Sequence, residues 1–164
     1  MKKLTIVSLT ALLLVATLVT LVPAPAVAAS GTAFSFTLTG PSTSEDPSTG
    51  DTIRVTGSGS FDTDTGSVTG GGSFTHFNVD GSVFAKGTWV ATAFVSFDSF
   101  GGPHPGFQGG VLWITVTLFP NGGGSVVLPM SVTCEVNSPG GFEEGITVGP
   151  FTEKISGRNL LHMN

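Results

Sequence analysis

The segment Val55-Thr56-Gly57-Ser58-Gly59-Ser60-Phe61 returns thirteen residues later as Val68-Thr69-Gly70-Gly71-Gly72-Ser73-Phe74, identical at six of seven positions. That offset is too short for a solenoid unit. Apolar or glycine residues alternate with polar ones at period two, so both copies read as strands, and together they fit the two arms of an antiparallel hairpin. A pleated pair must set inward residues opposite inward residues. A loop over residues 63–66 then pairs Phe61 with Val68, Gly59 with Gly70, Gly57 with Gly72, Val55 with Phe74, and Ile53 with His76. The same rule across a loop over 78–81 pairs His76 with Val83, Phe74 with Ala85, Gly72 with Gly87, and Gly70 with Trp89. Rows of inward glycine let a sheet bend sharply, and a large ring laid over them fills the missing volume. The expectation is a strongly curved sheet, bent along Gly57, Gly72 and Gly87, closing into a small barrel with Trp89 as its plug.

The rest of the chain alternates in the same way. Strands are expected over 32–39, 52–61, 67–77, 83–97, 111–119 and 125–136, with shorter ones over 145–151 and 154–162. Loops are expected over 40–50, 99–110 and 137–144. The stretch 111–119 is apolar on both faces, which suits a central strand. All 24 glycines lie after Ala28, a density that excludes long amphipathic helices. The fold class is therefore all-β, a single antiparallel β-barrel of about eight strands, with a β-sandwich as the alternative.

Residues 1–28 read as a secretory signal peptide: Lys2 and Lys3, an apolar run over 4–22, then Pro23 and the small-residue site Ala26-Val27-Ala28. The run approaches spanning length, so an uncleaved N-terminal membrane anchor is the alternative. Cleavage leaves one secreted domain over 29–164, free of the membrane. It removes two of the six Lys and Arg and none of the eleven Asp and Glu, so the mature net charge is −7. That acidity disfavours nucleic acid as a partner. Cys134 is the sole cysteine, so the domain relies on its core rather than on disulfides.

A barrel with a hollow mouth is a common small-ligand site. The inward aromatics expected to line it are Phe61, Phe74, Trp89, Phe97 and Trp113, with His76 near one rim. In the competing arrangement the same rings simply fill the core. His104 and Phe107, in the Gly- and Pro-rich loop over 101–110, are further ligand-binding candidates, because loops on rigid β scaffolds often carry binding residues. No metal is expected, since His76, His104 and His162 share no metal-ligand spacing. No cofactor is expected either: Gly70-Gly71-Gly72 leads into a strand and not into the helix a phosphate loop needs. Asp62-Thr63-Asp64-Thr65-Gly66 suits a hairpin turn, its glycine standing one position early for a calcium loop. Glu143 and Glu144, adjacent on the chain, cannot face one cleft as a glycosidase pair and suit a solvated loop. Cys134 lies on an inward apolar face, where a thiol behaves as a small hydrophobe. No residue is assigned a catalytic role.

Segments 55–61 and 70–76, Gly87-Thr88-Trp89, Glu143-Glu144-Gly145-Ile146 and Phe151-Thr152-Glu153-Lys154-Ile155-Ser156-Gly157 resemble a family of small secreted Gly-rich bacterial β-proteins. The resemblance spans residues 51–157 and implies export and an all-β fold, with no catalytic residue to carry over. At the level of fold alone the chain is also similar to the dirigent and allene oxide cyclase barrels. Low charge and Ser/Thr-rich outer faces point to a secreted, non-catalytic binding or surface-interaction protein. Its partner would be a small apolar ligand or an extracellular macromolecule, and a homo-oligomer is compatible with it. The alternative is a lipocalin-like or dirigent-like carrier or enzyme acting on an apolar small molecule, with His76 at the rim. A carrier or enzyme needs an enclosed cavity of at least roughly 300 Å³, whereas a scaffold protein has a filled core and an exposed apolar or Ser/Thr-rich patch.

Overall fold

The computed structural model describes residues 33–104 and 106–164; the expected signal peptide over 1–28 lies outside them. Among the described residues there are nine strands: β1 (Ala33–Glu45), β2 (Thr52–Asp62), β3 (Ser67–Phe77), β4 (Val83–Gly101), β5 (Phe107–Pro120), β6 (Val126–Cys134), β7 (Gly145–Val148), β8 (Glu153–Ser156) and β9 (Asn159–Met163). They form one antiparallel sheet in the order β4-β3-β2-β1-β9-β5-β6-β7, with β8 on β1. Because β4 also pairs with β5, six strands (β1 to β5 and β9) make a ring closed by hydrogen bonds. The all-β fold expected from the alternation is thus the fold observed. No helix of the described residues is long and apolar enough to cross a membrane.

The first hairpin has the register derived from the repeat at every expected pair, from Phe61 opposite Val68 to Ile53 opposite His76. The second does not. Its loop runs over 78–82, with Asn78 N donating to Ser82 O at 2.8 Å. Val83 pairs with Phe77 and Ala85 with His76, which leaves Phe84 as an extra residue, a bulge. Trp89 therefore stands opposite Gly72, and Gly87 opposite Phe74. The cross-strand row through Gly57 and Gly72 is Leu38, Gly57, Gly72, Trp89 and Leu118, and not the expected Gly57, Gly72 and Gly87.

Within that row the indole of Trp89 reaches over Gly72 onto Gly57, where a Cβ would stand 2.7 Å from its Cζ2. Its Nε1 donates to Thr56 O at 2.9 Å, and the residue is 1% exposed. Phe36 covers the next glycine pair: a Cβ on Gly70 would stand 3.0 Å from its ring. Glycine is required here because a Cβ would meet a carbonyl oxygen of the neighbouring strand, and at Gly57, Gly59 and Gly70 a ring as well.

Two more bulges in β4 change its inward set. Register shifts between Ala91 and Ala93 and between Phe94 and Ser96 make Phe94 and Phe97 the inward residues after Ala91. Ala93 and Val95, which unbroken alternation from Trp89 would set inward, are exposed. β1 also continues to Glu45 through the segment expected as a loop from Gly40. Its inward residues there are Ser42 and Ser44, both fully buried. The expected strand over 154–162 divides into β8 and β9.

β9 closes the ring at one end only, pairing with β1 from Phe34 to Leu38 and with β5 at Phe107 and Gln108. At the other end β6 takes over the edge of β5, β7 follows β6, and β8 lies on β1 from Thr43 to Glu45. Asn159 sits where these paths part, 1% exposed. Its Nδ2 donates to Thr133 O at 2.9 Å and Gly145 O at 2.8 Å, and its Oδ1 accepts from Ser42 Oγ at 3.1 Å. One buried amide thus joins β1, β6, β7 and β9.

The ring interior is filled. Trp89, Phe36, Leu112 and Ile114 are buried at its centre. Towards the β9 end, Phe34 stacks on Phe61 at 4.9 Å, and Phe97 packs against both at 4.9 and 5.0 Å.

Candidate functional site: an apolar cleft

The end of the sheet away from β9 gathers four connections: β1 to β2, β3 to β4, β5 to β6, and the turn after β7. Between them opens a cleft of about 350 Å³. Alternation supplies its apolar wall, since Ile53, Phe74 and Leu118 are successive inward residues of β2, β3 and β5, and each is buried. Leu128, Phe84 and Phe151 complete it. Phe84 is 67% exposed. The bulge that displaced the register is what places this ring at the mouth.

The polar groups of the cleft lie along one side, on the β1–β2 turn and β3. His76 Nε2 and Asp51 Oδ2 are 3.2 Å apart, and Asp51 Oδ1 accepts from Val79 N at 3.0 Å. Asp51 therefore ties the β1–β2 turn to the β3–β4 loop. The His76 ring is set edge-on to Phe151 at 5.0 Å and tilted against Phe84 at 4.7 Å. Asp46 also lines the cleft. The Ser48 hydroxyl and backbone N–H both donate to Asp46 Oδ1, at 2.6 and 2.9 Å, and hold this carboxyl below its ordinary range. No Lys or Arg is among the lining residues. Arg54 and Lys86 both flank Thr75 on the outer face, where Arg54 lies 5.3 Å from the Phe77 ring.

The candidates read from the sequence divide among separate places. Phe74 and His76 meet in the cleft. Trp89 is buried mid-ring, and Phe61 and Phe97 belong to the phenylalanine cluster towards β9. Trp113, expected to line the interior, is on the outer face and 39% exposed. At the β9 end His104 is exposed, and Phe107, 46% exposed, sets its ring 5.7 Å from that of His162. Sequence reasoning missed Asp46, Asp51, Phe84 and Phe151. Ile53, Leu118 and Leu128 carried a signal, the shared inward alternation, but nothing marked them as facing a space and not a neighbour.

The remaining expectations resolve simply. Asp62 Oδ1 accepts from Asp64 N at 2.9 Å and Thr65 N at 2.8 Å, the side-chain closure of a hairpin turn. Cys134 is 1% exposed, and burial pushes its thiol up. Glu143 is exposed in its loop as expected, whereas the Glu144 side chain is engaged. Glu144 Oε1 accepts from Asn159 N, while Lys154 Nζ donates to Glu143 O and Thr133 Oγ1, both at 2.7 Å. That segment is a brace for β9. Among the described residues no three His, Cys, Asp or Glu side chains gather as a metal-holding group.

Fold and site together define a small antiparallel β domain with a filled ring and an apolar cleft at one end. Compared with family models, with curated proteins and with solved structures, the chain finds no match in any of the three.

Proposed function

We propose that this protein is an extracellular, non-catalytic binding module that takes a small apolar ligand into the cleft between the β1–β2, β3–β4 and β5–β6 connections. The observation that carries this reading is the lining. A cleft of about 350 Å³ is walled by Ile53, Phe74, Phe84, Leu118, Leu128 and Phe151 with a few polar groups along it, the apolar composition that small-ligand sites share. The ring centre is occupied by the buried side chains of Trp89, Phe36, Leu112 and Ile114. Polar groups at the cleft are engaged with one another and with backbone, which suits orientation of a ligand more than its transformation. A surface-interaction role has one observation in its favour: Val90, Trp113, Phe119 and Val127 are exposed on the outer face of β4, β5 and β6.

Native mass spectrometry of the protein purified from its own culture medium tests the proposal. The expected result is an added mass below that of a peptide, lost on denaturation. A bare mass that stays bare after incubation with octanol would overturn it.

A further inference from the structure

Resting on the cleft reading, we infer that the ligand class is an apolar body bearing a protonated amine. The cleft is apolar on most sides, and its polar side is one-signed. Two carboxylates, Asp46 and Asp51, face it together with the Thr49 hydroxyl. The one imidazole, His76, is bonded to Asp51, and no Lys or Arg lines the cleft. An anionic head group would enter against both carboxylates with no fixed cation to receive it, and a neutral one would leave their charge uncompensated. An ammonium has three donors and a positive charge, and near a partly buried carboxylate it makes the stronger kind of hydrogen bond. Asp46 carries its charge within the β1–β2 turn, where Ser48 donates twice to Oδ1 and Thr49 also bonds the carboxylate. The hydrogen bonds from Ser48 hold its carboxyl below the ordinary range. Asp51 is held rigid by Val79 N and His76, so the two charges are fixed before any ligand arrives. Phe84 and Phe151 flank the His76 ring and present aromatic surface beside the carboxylates, which a cation also favours.

The test is isothermal titration calorimetry of the full chain with octylammonium, octanol and octanoate at neutral pH and one ionic strength. Octylammonium is expected to bind about tenfold more tightly than octanol, with octanoate weakest. In Asp46→Asn, whose side chain keeps an oxygen for Ser48, the preference for octylammonium over octanol is expected to shrink severalfold. A melting curve for the variant confirms that it is folded; if it is not, Asp46→Ser serves in its place. Equal affinities, or a preference for octanoate, would overturn the head-group inference and leave the apolar cleft standing. No binding of any of the three would overturn both.

Discussion

Single residues decide how sharply this sheet can turn. A Cβ on Gly72 would fall on the Thr56 carbonyl oxygen and 2.7 Å from Gly57 Cα, so the obstacle is the backbone of β2. The indole of Trp89, expected as the plug over the glycine row, presses on Gly57. Gly72→Val is expected to cost over about 2 kcal/mol, because a branched side chain overpacks a site bounded by main chain. Unchanged urea unfolding in that variant would refute the packing described. Asn159 works by a different physics. Replacing it with Leu strands two buried carbonyl groups and the Ser42 hydroxyl, and each unsatisfied group costs about 1–3 kcal/mol. A loss of at least about 3 kcal/mol is expected by chemical denaturation, and a loss under about 1 kcal/mol would show that these groups find other partners. Nothing in the sequence marks Asn159, since its partners lie 117, 26 and 14 residues away.

Strands were legible where the pattern was apolar and regular, and obscure where polar residues point inward or the chain adds a residue. The β2–β3 register followed from glycine placed opposite glycine, a local rule that needs no tertiary context. β1 beyond Gly40 was hidden because Ser42 and Ser44 are buried by bonds to Asn159 Oδ1 and Ile146 O, and serine ordinarily signals a turn. Bulges in β4 were hidden because an extra residue such as Phe84 is defined by its partner strand and not by its own chemistry. Strand position also sets local stability. β5 is paired on both edges over most of its length, with β4, β6 and β9. β8 holds to β1 at three positions across an irregular register. Native-state hydrogen exchange is expected to show β5 amides opening only with global unfolding and β8 amides exchanging at least about a hundredfold faster. Equal protection in the two would contradict the uneven closure of the ring.

At the scale of the molecule, the two ends of the sheet differ in kind. Towards β9 the strands close and phenylalanines fill the space; at the other end the closing strands fan out through β6, β7 and β8 and leave the cleft. The sequence conveyed an all-β domain with His76 at a rim and Phe74 beside it, because both follow from β3 and its register. It could not convey the rest of the cleft, whose walls come from five strands and depend on how the sheet closes. The measurement that bears most directly on the cleft is an amide chemical-shift map of the full chain titrated with octanol. The account requires shifts centred on Ile53, Phe74, His76, Phe84, Leu118 and Phe151. Shifts centred instead on Val90, Trp113 and Val127 of the outer face, or none at saturating octanol, would contradict it.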